Sequence, residues 1–322
     1  MTVSKPPTTE AETPDPTSST PAPKNKRLQL LQPKDKLTLT LMVTIPAIFV
    51  LGFVWVPALL SVVLSFTSWN SIGPISDIEF VGLQNYEDIV TIYPAFFPAV
   101  QNNLLWLGVF FFIATPLGMF MAVLLDREIK GSVLYQSAFY LPVVLSLALI
   151  GFMWQLLYSR DQGLINAMLG LDGSNRIDFL GDSDINIYAI LIAASWRHVG
   201  YIMLLYLAGL KGIDPALREA AAMDGAGPVR TFFSVIFPAM RPINVVVLVI
   251  TVIESLRAFD IVWVINKGRN GLELLSVLVV QNVIGEASRV GFGSAIASIL
   301  LVISLVFIVI YMVSIYRERD PR

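Results

Sequence analysis

Asp214-Pro-Ala-Leu-Arg-Glu-Ala-Ala-Ala-Met-Asp-Gly-Ala-Gly-Pro-Val-Arg-Thr-Phe-Phe-Ser-Val-Ile-Phe-Pro-Ala-Met-Arg-Pro242 is a polar stretch set between two long apolar segments. Pro215 suits the first helical position and Asp214 the N-cap. Gly225 suits the stop, because glycine takes a left-handed conformation at little cost. The reading is a helix of about three turns from Pro215 to Asp224. Gly227 and Pro228 then start a second helix, which Pro238 ends. Ala220, Ala221, Ala222, Gly225, Ala226 and Gly227 leave little side-chain bulk to hold another protein away. A short helix with so small a surface, held at a membrane face, suits a groove on a partner.

Outward from this stretch the chain is apolar. Of 322 residues, 55% are hydrophobic and 14% charged, a balance that excludes an ordinary soluble domain and indicates an all-α polytopic membrane protein. About 20 helical residues cross a bilayer core. The runs poor in charge predict six spans, at roughly 39–66, 99–125, 134–158, 187–210, 243–266 and 291–315. Leu274–Ile284 is apolar too, but Glu273 and Glu286 bound it, so it reads as an amphipathic or re-entrant segment. With the N-terminus inside, the cytoplasmic segments hold fifteen Lys and Arg and the outer loops five. That bias places both termini and the Asp214–Pro242 stretch in the cytoplasm of a multi-pass cell (inner or plasma) membrane protein.

Residues 1–36 read as a cytoplasmic N-terminal tail. Its first 23 residues, with six Pro and six Thr, cannot bury a core and read as disordered. Lys24, Lys26, Arg27, Lys34 and Lys36 make its end basic. Residues 37–317 form the six-span domain, and 318–322 a short cytoplasmic C-terminal tail. A net charge of −2 gives no argument for nucleic-acid binding. The chain has no cysteine and one histidine, which excludes disulfides, thiolate chemistry and a multi-histidine metal centre. No Gly-Lys-Ser/Thr phosphate loop is present, so any ATP that powers the protein is bound by another chain. A membrane-embedded enzyme would have only carboxylates to work with, and nothing sets a pair of them opposite a nucleophile.

The opening stretch resembles the cytoplasmic EAA loop of importer-type ABC permeases. That pattern is Glu-Ala-Ala, three residues, Gly, nine residues, Ile, one residue, Leu-Pro. Glu219, Ala220, Ala221, Gly225 and Pro238 match it, with Val235 and Phe237 as apolar replacements, and Asp224-Gly225-Ala226 is similar to the form in sugar and glycerol-phosphate permeases of the maltose-transporter type. Val81-Gly82-Leu83-Gln84-Asn85-Tyr86, Tyr140-Leu141-Pro142, Leu207-Ala208-Gly209-Leu210 and Phe259-Asp260 are similar to other family elements. One departure is Asn266-Lys267-Gly268-Arg269-Asn270-Gly271, where the family often has Gly-Gly-Pro. The resemblance implies the type I importer permease fold, with the coupling loop at residues 212–242. It also implies a heterodimer with a second permease, two ATPase subunits that bind the ATP and Mg, an extracytoplasmic solute-binding protein, and no cofactor or metal in this chain. Glu219, Ala220, Ala221, Asp224, Gly225, Ala226 and Pro238 are its ATPase-coupling residues, and the solute is a sugar or sugar derivative. Glycerol phosphate, a polyamine or phosphate is the alternative.

A charge at mid-bilayer costs about 2.5–3.5 kcal/mol on insertion scales, so it faces protein or water. Glu254, Arg257 and Asp260 are spaced three apart and are expected on one helical face. They read either as a self-neutralising ladder or as a polar stripe able to hydrogen-bond sugar hydroxyls. Arg197 and His198 sit beside Trp196 and Tyr201. With no second histidine, His198 reads as a packed or pathway-facing residue rather than a ligand. Trp196, Arg197, Tyr201, Glu254, Arg257, Phe259 and Asp260 are the substrate-path candidates, and Tyr140, Trp154 and Trp263 are further rings able to stack on a sugar. Pro46, Pro57, Pro116 and Pro142 read as kinks.

Overall fold

The computed structural model describes residues 33–70, 74, 76, 78–127, 131–285 and 288–319. The expected disordered tail falls outside these residues. Residues 33–36, assigned to that tail from sequence, are already helical, and the last helix reaches Arg319. Within the described residues the chain is helical, with a single antiparallel bridge between Thr67 and Phe80. In order, the helices are α1 (Lys34–Leu64), α2 (Gln84–Thr91), α3 (Phe96–Asp126), α4 (Ser132–Val144), α5 (Leu147–Leu157), α6 (Asn186–Lys211), α7 (Pro215–Met223), α8 (228–239), α9 (Arg241–Leu256), α10 (Asp260–Asn266), α11 (Leu275–Val283) and α12 (Val290–Arg319). Short turns of helix, such as Leu164–Met168, lie between them.

The chain divides into two units after Val56. The described part of the first is the beginning of α1, where Phe49 and Phe53 stack at 5.9 Å. The second holds all the later helices. Its core surrounds α6, whose buried residues include Ile190, Ala193, Ile202 and Met203. Small residues let the neighbours approach, as is usual where apolar helices pack without a hydrophobic driving force between them. A Cβ on Gly118 of α3 would lie 2.8 Å from the Val199 carbonyl oxygen, and one on Gly209 would lie 2.9 Å from Ile243. A Cβ on Gly200 would collide with the Phe139 carbonyl of α4.

Among the described residues four helices, α1, α3, α6 and α12, are long and apolar enough to cross a membrane. The expected third span is not one helix: α4 and α5 meet at 101° and together make a fifth candidate. Pro142 occupies the last turn of α4, Leu145 is extended, and the Ser146 hydroxyl caps the new helix by accepting from the Leu149 N–H at 3.2 Å. The segment expected as the fifth span forms two helices, α9 and α10, which are not among the helices or bent pair long and apolar enough to cross. Leu274–Ile284 contributes the short helix α11, which packs on α3 and α12 and, at nine residues, is too short to cross a bilayer core.

Pro57 and Pro116 distort their helices without ending them, as expected of kinks, and Pro238 stands one residue before the end of α8 at Ala239. Each follows a five-residue π turn: Leu51–Trp55, Phe110–Ala114 and Phe232–Ile236. In each case the N–H just before the proline reaches back five residues, from Val56 to Leu51, Thr115 to Phe110 and Phe237 to Phe232. A proline lacks the N–H that the carbonyl four residues earlier needs, and its ring presses on that carbonyl. The wider turn relieves the clash and lets the helix continue.

Candidate functional site

Two regions carry the candidate residues. The first is α7 with the turn that follows it. Asp214 caps the helix, its Oδ1 accepting from the Ala216 N–H at 2.9 Å, and Pro215 takes the first position. The helix ends at Met223, one residue before the expected end. Gly225 is left-handed (φ +71°), and the N–H groups of Gly225 and Ala226 close back on the carbonyls of Ala222 and Ala221. Glu219, Ala220, Asp224, Gly225 and Pro238 are exposed and Ala226 is half-buried. Ala221 differs from its neighbours: it is buried and faces the protein. A Cβ on Gly225 meets nothing within 4 Å. Met223, Val229 and Phe233 are exposed as well, at 88%, 70% and 61%, so this face offers more apolar surface than the small-residue reading allowed. An unforeseen ion pair anchors the helix. Arg218 donates to Asp126, at the end of α3, over 2.7 Å. The only sequence signal was that Asp126 is the first charge after the second apolar run.

The second region is the interruption between α9 and α10. Leu256 ends α9, Phe259 has φ −146° and ψ −61°, and Asp260 begins α10. Glu254, Arg257 and Asp260 therefore do not share one helical face, and no ladder forms among them. Glu254 pairs instead with Arg197 of α6, Nη1 to Oε2 at 3.5 Å, the two side chains being 23% (Arg197) and 30% (Glu254) exposed. Arg257 and Asp260 are exposed and make no ion pair among the described residues. No proline causes the break. Its freed carbonyls are met by side chains from elsewhere: Asn103 Nδ2 donates to the Ser255 carbonyl at 3.2 Å, and the Ser276 hydroxyl donates to that of Ala258. Asn103 also accepts from the Leu275 N–H at 3.0 Å, which ties α3, α9 and α11 together. Neither residue was singled out from sequence.

Arg197, Glu254, Phe259 and Asp260 line one small cavity of about 20 Å³, together with His198 and Phe110, room for about one water. Trp196, Tyr201 and Arg257 are not among its lining residues. Trp196 lies edge-on to Trp154 at 6.0 Å, and Phe259 stacks on Trp263 at 5.3 Å. Tyr201 is half-buried and Tyr140 is exposed. His198 is buried and packed: its ring stacks on Phe110 at 4.1 Å and its Nε2 lies 3.4–3.5 Å from the Thr251 and Thr115 hydroxyls. The Nε of Arg197 is buried without a hydrogen-bond partner among the described residues. A half-buried cation with a spare donor, two carboxylates and stacked rings make a polar spot suited to hydroxyl groups.

Residues 114–319 match the family described as binding-protein-dependent transport system inner membrane component. A probable ABC transporter permease protein of Pyrococcus horikoshii is 30% identical over 282 residues, covering 86% of this chain and 95% of the relative. The xylose/arabinose import permease protein XacH of Haloferax volcanii is 31% identical over 79% of this chain and 80% of its own. The trehalose/maltose transport system permease protein MalF of Thermococcus litoralis is 30% identical over 81% and 92%. Among solved structures, a bacterial ABC transporter involved in the import of the acidic polysaccharide alginate superposes with a TM-score of 0.74 at 20% identity, over 88% of this chain and 96% of that one.

Proposed function

The chain belongs to the inner membrane components of binding-protein-dependent transport systems, and from that premise we propose that it forms half of the translocation path for a sugar or sugar derivative. As a permease subunit of an ABC importer it is not itself an enzyme and carries no cofactor. The observation that carries the solute class is the Arg197–Glu254 pair. It balances its own charge, so it suits neutral hydroxyls better than a strongly charged solute. The names of the xylose/arabinose and trehalose/maltose relatives support the same class.

In this reading the chain crosses the membrane six times, with α4–α5 and α9–α10 each a broken crossing. Both termini and α7 are cytoplasmic. Arg197, Glu254, Phe259 and Asp260 meet the solute, and Trp196, Tyr201 and Arg257 border its route. The partners are a second permease, two ATPase subunits that bind ATP and Mg, and an extracytoplasmic binding protein. Glu219, Ala220, Asp224, Gly225, Ala226 and Pro238 form the ATPase-facing surface, with Ala221 as its internal packing. When the ATPase dimer closes on ATP, α7 moves with it, and the Arg218–Asp126 pair passes that movement to α3.

Two experiments test this reading. Purified complex is screened for sugars that, with the binding protein, stimulate ATP hydrolysis; stimulation by a polyamine or phosphate alone removes the sugar reading. Gly225→Trp tests the coupling surface. Its backbone strain is about 1–2 kcal/mol, too little to unfold a protein of this size, and its Cβ meets no atom within 4 Å. The variant is expected to insert and keep the second permease but lose ATPase subunits or uncouple hydrolysis from uptake. Retained ATPase subunits with wild-type uptake in vesicles would show that α7 is not the coupling element.

A further inference from the structure

A second cavity, of about 490 Å³, opens where the segment after α1, helix α2 and the start of α12 meet. It shares no lining residue with the Arg197–Glu254 cavity. Trp69, Gln84, Asp88, Tyr93, Arg289 and Phe292 give it its chemistry. The guanidinium of Arg289 lies 4.4 Å over the Phe292 ring, and its Nη2 donates to the Asn282 Oδ1 at 2.9 Å. Asn282 is buried and donates to the Tyr93 hydroxyl at 3.2 Å. Arg289 is thus fixed from two sides, with N–H groups to spare. Asp88 is half-buried, and its carboxylate has no hydrogen-bond or ion-pair partner among the described residues, Arg289 included. One cavity therefore presents a fixed cation and a free carboxylate that do not neutralise each other.

We propose that this cavity receives the headgroup of an ethanolamine phospholipid, its phosphodiester on Arg289 and its ammonium on Asp88. A neutral solute leaves both charges without a counter-ion, and a simple anion or cation satisfies one of them. A zwitterion satisfies both with charge-assisted hydrogen bonds. The position agrees. The cavity lies at the ends of two apolar helices, where Trp69 and Tyr93 suit the headgroup level. A carboxylate accepts hydrogen bonds from a primary ammonium and none from a trimethylammonium. The Phe292 face that could help cage choline is already covered by Arg289. The proposal does not depend on the carbohydrate reading.

The test uses the whole purified complex and native mass spectrometry after adding phosphatidylethanolamine, phosphatidylcholine or phosphatidylglycerol. Retention of phosphatidylethanolamine is expected to exceed that of the other two by about tenfold, the scale of one lost charge-assisted bond. Asp88→Asn is expected to erase that preference without affecting yield, since the carboxylate supports no other contact. Arg289→Gln should lower retention of both phosphatidylethanolamine and phosphatidylglycerol. Equal retention of the three lipids, or an unchanged preference in Asp88→Asn, overturns the proposal. So does full competition by soluble glycerophosphoethanolamine, which would assign the site to a free phosphodiester. Weaker capture of the binding protein by Asp88→Asn, with lipid retention as in the wild type, would make the cavity a protein socket instead.

Discussion

Helix α6 and the stretch from α9 to α10 pack against each other and cover similar lengths of chain, yet one is a single 26-residue helix and the other breaks after Leu256. Around α6, backbone groups bond within the helix, and glycine lets neighbouring helices close on it, Phe139 over Gly200 and Ile243 against Gly209. Around the α9–α10 break, Asn103 and Ser276 supply hydrogen bonds that the helix would otherwise make for itself. In a bilayer an interrupted helix survives only where other groups satisfy its freed carbonyls. The difference teaches that side chains distant in sequence decide where a span is interrupted. Proline alone does not: α3 and α8 carry it through a π turn, and residues 257–259 contain none.

The strongest way to break this comparison is Asn103→Ala. It strips partners from two buried backbone groups, the Ser255 carbonyl and the Leu275 N–H, each worth about 1–3 kcal/mol when left unsatisfied. Complex yield and thermal stability should fall sharply, and an unchanged melting temperature would mean the break holds itself open. On the other side, Gly200→Val drives a side chain into the Phe139 carbonyl and should cost about 1–3 kcal/mol by overpacking, read as lowered thermal stability with α4 more open to proteolysis. Glu254→Gln leaves Arg197 without its counter-charge. For a partly solvated pair the loss should be near 1 kcal/mol, while sugar uptake falls by much more. A stability loss equal to the uptake loss would make the pair structural only. Arg257→Leu should be the mildest, within about 0.5 kcal/mol in stability, because the residue is exposed and unpaired. Any loss of uptake in this variant at normal yield places Arg257 on the solute's route.

What could be read from sequence follows the range of the interactions involved. The N-cap at Asp214, the proline at 215 and the left-handed Gly225 act within a few residues, and α7 lies within one residue of its expected bounds. The Glu254–Arg257–Asp260 stripe was a local inference too, but distant residues overruled it: Asn103, Ser276 and Arg197 each act from another element. The anchoring of Arg218 on Asp126 was hidden for the same reason. Only Asp126, the first charge after an apolar run, hinted at it. The crossing of α4 and α5 was half visible, since Pro142 marked a weak point but nothing local fixed an angle of 101°.

The π turn before Pro116 has a consequence for how α3 tolerates change. Its buried positions are Phe96, Ala99, Asn103 and Trp106 before the turn, Phe110 and Ala114 at its two ends, and Gly118, Ala122 and Leu125 after it. At about 100° per residue, the two sets in a straight α-helix would point about a quarter turn apart. The wide turn absorbs one residue and brings them back into phase. The helix therefore stores a one-residue surplus of length, and the proline keeps that surplus in place. Pro116→Ala alone frees the helix to rewind and swing Gly118 out of its contact with Val199. Pairing that substitution with deletion of one residue from Phe110–Ala114 leaves a shorter, straight helix with the same inward face.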